Sequence, residues 1–376
     1  MFTKDSRPSV WSRLSLAAGL ASGLIVSSCQ GQAQGTAAGA PAGWDQVVAA
    51  ASKEGQIVVA GPPGNLYRQA LLAFQQAYPR VQVQYTGFSG RDLGPRVLSE
   101  EKAGQFLWDV QVGGANTILS ELIPGKATSP LPRDLPETRA GANDDKWRGG
   151  FDDGFADNGR TYAYAFSAYL NYAIYVNRDG VSETQLSKGE DLLKSEIKGK
   201  IAWNEPRETG AGSLDAQRFV MSFGEDFLRN VLSTQAVTVT RDLRQQAEWL
   251  VRGTYPVAIG VDATTLSEFE QNGVKANIKT VDDPNALVFT SGFGNVNVMT
   301  KPPHPNSAKV FVNWLLSEEG QTAWAKISGK NSRRLDVPIA DQTSYAPPDL
   351  NVPFLNKEEF ESARQQAAAI ARDALQ

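Results

Sequence analysis

The amino-acid sequence predicts an α/β protein of two lobes, each an open, doubly wound sheet with helices on its faces. Three observations predict it. From Trp44 onwards, short β-branched runs bounded by Gly and Pro alternate with stretches of helical periodicity, the pattern of strand and helix laid over a parallel sheet. The chain beyond Trp44 is too long for one ordinary hydrophobic core and suits two. Two long β-rich stretches, residues 162–177 and 288–299, interrupt the alternation and could carry the chain from one lobe to the other and back.

The N-terminus reads as an export segment. Lys4, Arg7 and Arg13 precede an apolar run over residues 14–26, which is too short to span a bilayer stably. Val26, Ser27, Ser28 and Cys29 follow in the order of a bacterial lipobox, so residues 1–28 are expected to be a lipoprotein signal peptide and Cys29 the lipid-bearing residue. Cys29 is the single cysteine, which leaves no disulfide. Residues 30–43 are almost wholly Gly, Ala, Gln and Pro and cannot bury enough apolar surface to fold, so 29–43 reads as anchor and tether. Removing three bases and one acid with residues 1–28 takes the formal charge from −4 to about −6. A mildly acidic chain without a basic stripe excludes nucleic acid as a partner.

In the folded part, a helix from Trp44 leads into a strand at 56–60, a helix marked by Leu66, Ala70, Leu71 and Phe74, and a strand at 81–85. Leu93, Val97 and Leu98 mark the next helix face, and residues 109–112 the next strand. A polar, Pro-rich stretch at 124–153 reads as surface loop. A second set follows, with strands at 201–203 and 256–261 around a helix at 215–223. Two amphipathic helices close the chain, one carrying Phe311 and Leu315, the other Phe360, Ala367 and Ile370. The expected division is lobe 1 from residues 44–166 and 287–345, lobe 2 from 167–286, and a C-terminal helix segment at 346–376 packing on the lobes.

Several pieces, in order along nearly the whole chain, carry a family resemblance. They are Lys53-Glu54-Gly55 before the first strand, Tyr78-Pro79 before the second, Ala103-Gly104 and Asp109-Val110, then Tyr175 to Asn177, residues 253–260, and the run from His304 to Gln321 with Leu316-Ser317-Glu318-Glu319-Gly320. The chain resembles the bacterial extracellular solute-binding proteins of the ferric-iron transporter type. The resemblance implies the two-lobed periplasmic-binding-protein type II fold, hinge strands, a small solute held in the cleft, and delivery to an ABC permease and its ATPase. No cofactor and a monomer are expected, and the lipobox at Cys29 places the chain in the periplasm or at the cell surface, held by lipid. Ferric-binding members carry two adjacent tyrosines after the strand at 256–260, where this chain has Val261-Asp262-Ala263-Thr264-Thr265. Relatives lacking the pair are similar to binders of phosphonates, sugar phosphates, carboxylates, thiamine or polyamines. Gly-rich helix starts together with Arg91 and Arg207 make an organic anion or zwitterion the expected solute; iron held by other ligands and a ligand-sensing surface lipoprotein are the alternatives.

Candidate solute-binding residues lie where strands end and helices begin, because free helix N–H groups there point outward with partial positive charge. Pro63, Gly64 and Asn65 follow the first strand and either approach a solute or form a plain turn. Ser89, Gly90 and Arg91 repeat the arrangement, and the Arg91 guanidinium either clamps an anion or is solvated. Asn116 follows the third strand. In the second lobe the Gly-rich loop 204–213, with Arg207, Thr209 and Gly210, could cradle an oxyanion. Tyr169 and Tyr172 in the first crossover either line the cleft floor or pack as strand residues. Asp262 either receives a solute donor or caps the following helix.

Enzymatic readings fare poorly. The single histidine, His304, sits in a Pro-rich loop and reads as structural, and hydrolytic triads and zinc sites need more than one such residue. The carboxylate pairs Asp152-Asp153 and Asp282-Asp283 lie in turn-like surroundings, unlike a facing acid–base pair.

Overall fold

The computed structural model describes residues 43–347, 350 and 352–376. The expected signal segment, Cys29 and the tether as far as residue 42 lie outside the described residues.

The helix Trp44–Glu54 ends at Gly55, whose φ of 72° lets its amide reach back to the Ala51 carbonyl. That turn delivers the chain into β1 (Gln56–Gly61), which pairs in parallel with β2 (Gln82–Gly87) and β3 (Val110–Gly113). Further along come β4 (Thr128–Ser129), β5 (Tyr164–Ala165), β6 (Tyr169–Asn171) and β7 (Ile174–Asn177). They are followed by β8 (Ile201–Asn204), β9 (Thr238–Thr240), β10 (Val257–Ile259), β11 (Ile278–Thr280), β12 (Val288–Thr290) and β13 (Asn295–Met299). The first sheet runs β2-β1-β3-β13-β4, with β5 also on β13; the second runs β11-β7-β10-β8-β9. In each, parallel strands share the sheet with one that runs against them and brings the chain back: β13 against β3 in the first, β7 against both β10 and β11 in the second.

Between the sheets lies a ribbon of β6 and β12, antiparallel, with Tyr169 opposite Thr290. The chain passes from β5 in the first sheet through β6 to β7 in the second, and returns through β12 to β13. The stretch expected as one long β segment is thus three short strands. Each pairs with a different partner, so the backbone turns between them instead of running straight.

The first lobe is packed around Phe74, Phe166, Phe311 and Trp324, the second around Trp203, Phe219, Leu228 and Ile259. The stretch 124–153, expected as surface loop, is corrected by this packing: Leu131, Leu135, Trp147 and Phe151 enter the first core, and Phe151 stacks on Tyr164 at 4.4 Å between ring centroids. Burying each such side chain contributes on the order of 1.5–3 kcal/mol, enough to fix a segment whose polar residues still face outward. The helix Glu361–Ala374 lays Ala367, Ile370 and Ala371 into the second core against the helices Ala211–Phe223 and Glu225–Thr234. Among the described residues no helix is long and apolar enough to cross a membrane.

Candidate functional site

The parallel strands of both sheets deliver their C-terminal ends to the space between the lobes. Beyond β1 starts the helix Asn65–Leu72; beyond β2, Gly90–Lys102; beyond β8, Ala211–Phe223; beyond β10, Ala263–Gln271. A cavity of about 90 Å³ lies there, partly open to solvent. Close backbone approach shapes its walls. A Cβ on Gly212 would lie 1.8 Å from the Asn204 carbonyl oxygen, and one on Gly90 2.3 Å from Thr117 Oγ1, so both helix starts come closer to their neighbours than any other residue permits.

Gly90, Asn116, Thr209 and Gly210 line the cavity from the strand-end loops, and Tyr169 lines it from the ribbon. Lys330 joins them from the segment after the helix Glu318–Ser328. Its residue is 7% exposed, its ammonium lies 4.6 Å from the Tyr169 ring centroid, and the nearest carboxylate oxygen, on Asp262, is 3.9 Å away. Asp262 is already occupied. It caps its helix through the Thr265 amide at 2.9 Å and hydroxyl at 3.0 Å, and accepts the Tyr67 hydroxyl of the other lobe at 2.9 Å. Burial pushes the phenols of Tyr67 and Tyr169 well up and that of Tyr175 to about 12, so all three stay neutral donors near neutral pH. Asn116 Oδ1 and Thr117 Oγ1 are buried on the cavity wall with no hydrogen-bond partner among the described residues.

The two arginines anticipated in the sequence stand outside this cavity and line a second, wider opening of about 640 Å³ that shares Thr209 with it. Arg207 donates to Glu205 through Nε at 2.7 Å and Nη2 at 2.8 Å. Burial works against the Glu205 carboxylate, yet Arg207 and Arg241 outweigh it and hold its pKa below the usual range. Arg91 donates to the Arg241 carbonyl and lies 4.0 Å from Glu208. Pro63, Gly64 and Asn65 border an outer opening, where the Asn65 and Leu66 amides donate to Glu268 of the second lobe at 2.8 and 3.1 Å. Ser89 bonds Asp92 within its own turn, and Tyr172 bonds the Thr343 carbonyl. His304 is tied to buried Asp109 through its ring Nδ1 at 2.8 Å. Asp152 pairs with Arg133, Asp153 with Arg333, and Asp283 accepts the Gly189 amide, so the acidic pairs serve structure. Among the described residues no three His, Cys, Asp or Glu side chains group as a metal site.

Lys330, Thr117, Tyr175 and Asn356 were not anticipated. Lys330 and Asn356 come from irregular C-terminal segments that carry no strand-to-helix signature. The Gly329-Lys330 step after an amphipathic helix marks a helix end, with nothing to say that the lysine turns inward.

Two open α/β sheets facing each other across a largely apolar cavity with a few polar groups, and joined by a two-strand ribbon, define a two-lobed binding protein. The chain belongs to the bacterial extracellular solute-binding protein family, whose model matches residues 69–347. It is similar in structure to the periplasmic binding protein AfuA from Actinobacillus pleuropneumoniae, solved with fructose-6-phosphate, at 18% identity and a TM-score of 0.67, covering 85% of this chain and 96% of that one. Iron-bound HitA from Pseudomonas aeruginosa is similar at 16% identity and a TM-score of 0.65, covering 85% and 99%. The periplasmic binding protein P5PA is similar at 17% identity and a TM-score of 0.67, covering 85% and 98%. At these identities the likeness is one of fold. No curated protein matches the chain.

Proposed function

We propose that the chain is the substrate-binding component of an ABC importer, capturing a small organic anion or zwitterion between its lobes and handing it to the permease that the ATPase drives. The observation that carries the solute class is the buried Lys330 ammonium, opposed by a carboxylate only at 3.9 Å, on the same wall as the unpartnered Asn116 Oδ1 and Thr117 Oγ1. A buried cation and orphaned polar atoms are costly unless a ligand completes them. The N-terminus of the helix Ala211–Phe223 adds positive potential at Gly210, where no side chain caps it. In this reading Cys29 carries the lipid, residues 29–43 tether a monomer to the membrane, residues 1–28 are removed on export, and the β6/β12 ribbon is the hinge.

A thermal-shift screen of the full chain tests it, against phosphonates, sugar phosphates, carboxylates, amines, thiamine and ferric citrate. An organic anion should raise Tm by mass action. Lys330→Met should weaken that solute about 10- to 100-fold, the worth of one charge-assisted hydrogen bond. Arg207→Ala should change it less than about threefold, because Arg207 is committed to Glu205. A response to ferric citrate alone would replace the organic anion by iron. A solute that binds but is not taken up by cells would favour sensing, the role suggested by a similar structure titled as a two-component signal-transduction protein, at 18% identity and a TM-score of 0.60.

A further inference from the structure

We propose that the buried Asp215–Arg218 pair is the deep subsite of the cleft, taking the carboxylate of a small α-hydroxy or α-amino acid. The inference rests on the cleft being the solute site and names the solute more closely. Both residues lie on the helix Ala211–Phe223, whose Ala211 and Leu214 form cavity wall. Asp215 is four residues past Ala211, and Arg218 four past Leu214, so the pair lies on the same helix face directly behind the cavity wall, reached only if Leu214 or a neighbouring wall residue shifts. Tyr169 and Tyr175, which also line the cavity, stand close enough to feel the Asp215 charge and to act in turn on Arg218.

The pair does not satisfy itself. The Arg218 side chain is 0% exposed and that of Asp215 3%, with Nη2 and Oδ1 3.1 Å apart. Even so, Nε, Nη1 and Nη2 of Arg218 and Oδ1 of Asp215 have no hydrogen-bond partner among the described residues. For stability alone, two apolar side chains would serve as well or better, because a buried ion pair without its remaining hydrogen bonds seldom recovers the cost of desolvation. A ligand that completes the pair must bring two things. It needs planar paired acceptors for the guanidinium fork, which a carboxylate supplies. It also needs a donor on the adjacent carbon for Asp215 Oδ1, which a hydroxyl or ammonium supplies. A simple carboxylate would set its own charge against Asp215 unmatched.

The test uses the full ¹⁵N-labelled chain and four probes: glycolate, glycine, acetate and ethylene glycol. The readouts are the arginine Nε–H spectrum and the thermal shift. Glycolate or glycine should move one Nε–H resonance, assigned to Arg218 by its loss in Arg218→Lys, and should bind at least tenfold more tightly than acetate; ethylene glycol should do neither. Asp215→Asn, which keeps the arginine and its resonance, should abolish the preference over acetate, and Arg218→Met should abolish the response. Should Arg218→Met fail to fold, the wild-type resonance and the Asp215→Asn comparison decide alone. If some panel solute raises Tm while neither glycolate nor glycine moves the resonance, the subsite is wrong and the cleft reading stands. If the probes bind unchanged in Asp215→Asn and Arg218→Met, the subsite is likewise wrong. If no probe and no panel solute binds, both readings fall.

Discussion

Removing Glu268 should loosen the closed arrangement of the lobes, and by an amount that the contacts set. Its Oε1 accepts the Asn65 and Leu66 amides across the cleft at 2.8 and 3.1 Å, and its Oε2 lies 3.4 Å from Arg244. Hydrogen bonds to a charged group contribute roughly 1.5–3 kcal/mol when buried; at this partly exposed site about 1 kcal/mol each is the fair figure. Glu268→Ala should therefore lower the closed-to-open ratio by about 2 kcal/mol, on the order of 30-fold. Glu268→Gln keeps an acceptor oxygen and loses only the charge at the helix start, about 0.3–1 kcal/mol, and should move the ratio at most about fivefold. Adding Tyr67→Phe removes the bond to Asp262 as well, worth a further ~1 kcal/mol. Small-angle X-ray scattering of the unliganded chain reads the result as a radius of gyration that grows from wild type through Glu268→Gln to the Glu268→Ala/Tyr67→Phe double variant. A double variant whose scattering superposes on wild type would refute the claim that these cross-lobe bonds hold the lobes together.

Three further expectations concern stability. Gly260→Ala places a Cβ 2.9 Å from the Gly212 backbone at a φ of 76°, and should cost about 2–4 kcal/mol in urea unfolding; an unchanged midpoint would mean that the β8 and β10 loops are less tightly fitted than described. Asp109→Ala strips the Val58 and His304 amides of their carboxylate acceptor at 2.7 and 2.6 Å in a fully buried site, and should destabilise by about 3 kcal/mol or more by the same assay, whereas loss of an incidental contact would cost under about 0.5 kcal/mol. Burial lifts the Asp215 carboxyl from 3.8 to about 6 against the pull of Arg218. Between those values the folded chain holds a proton that the unfolded chain has released, so this group's contribution falls as pH rises from about 4 to 6, by up to about 3 kcal/mol. Unfolding free energies measured across that window should lose this component in Asp215→Asn; parallel wild-type and variant profiles would show that the carboxyl titrates normally.

The sequence makes the sheets legible because their signals are local. Short apolar runs bounded by Gly and Pro, such as those at β1, β8 and β10, announce strands wherever they end up in space, and the loops after them follow directly. Gly90, Asn116, Thr209 and Gly210 reach the cavity for that reason. Long-range pairing is not local. Nothing in the stretch from β5 to β7 tells a reader that it serves three different ladders, and nothing in 124–153 shows that Trp147 meets Tyr164 edge-on at 5.4 Å. Lys330 is hidden in the same way, since an inward lysine and a solvated one are written identically. Arg91 and Arg207 show the converse: a guanidinium beside a Gly-rich helix start looks like an anion clamp until Glu205 and Glu208, from the same loop, are seen to hold it.

In the proposed reading, what separates solute contacts from lobe contacts is how each helix start is completed. The start of Asn65–Leu72 is capped from across the cleft by Glu268, and that of Ala263–Gln271 by its own Asp262, which also takes the opposing Tyr67. Once a carboxylate fills such a site, a second anion is repelled, so these two starts fasten the lobes and have nothing left for an anionic solute. The start of Ala211–Phe223 has glycine at its cap and no side chain on its free amides, and it opens on the cavity that Lys330 faces. In the proposed reading, closure and capture thus fall to different helix ends through the placement of a few carboxylates. Adding one, as in Ala211→Asp at the first residue of that helix, should put a resident anion at the cavity wall and weaken anion binding without opening the lobes, a separation that solute titration and scattering on the same sample would resolve.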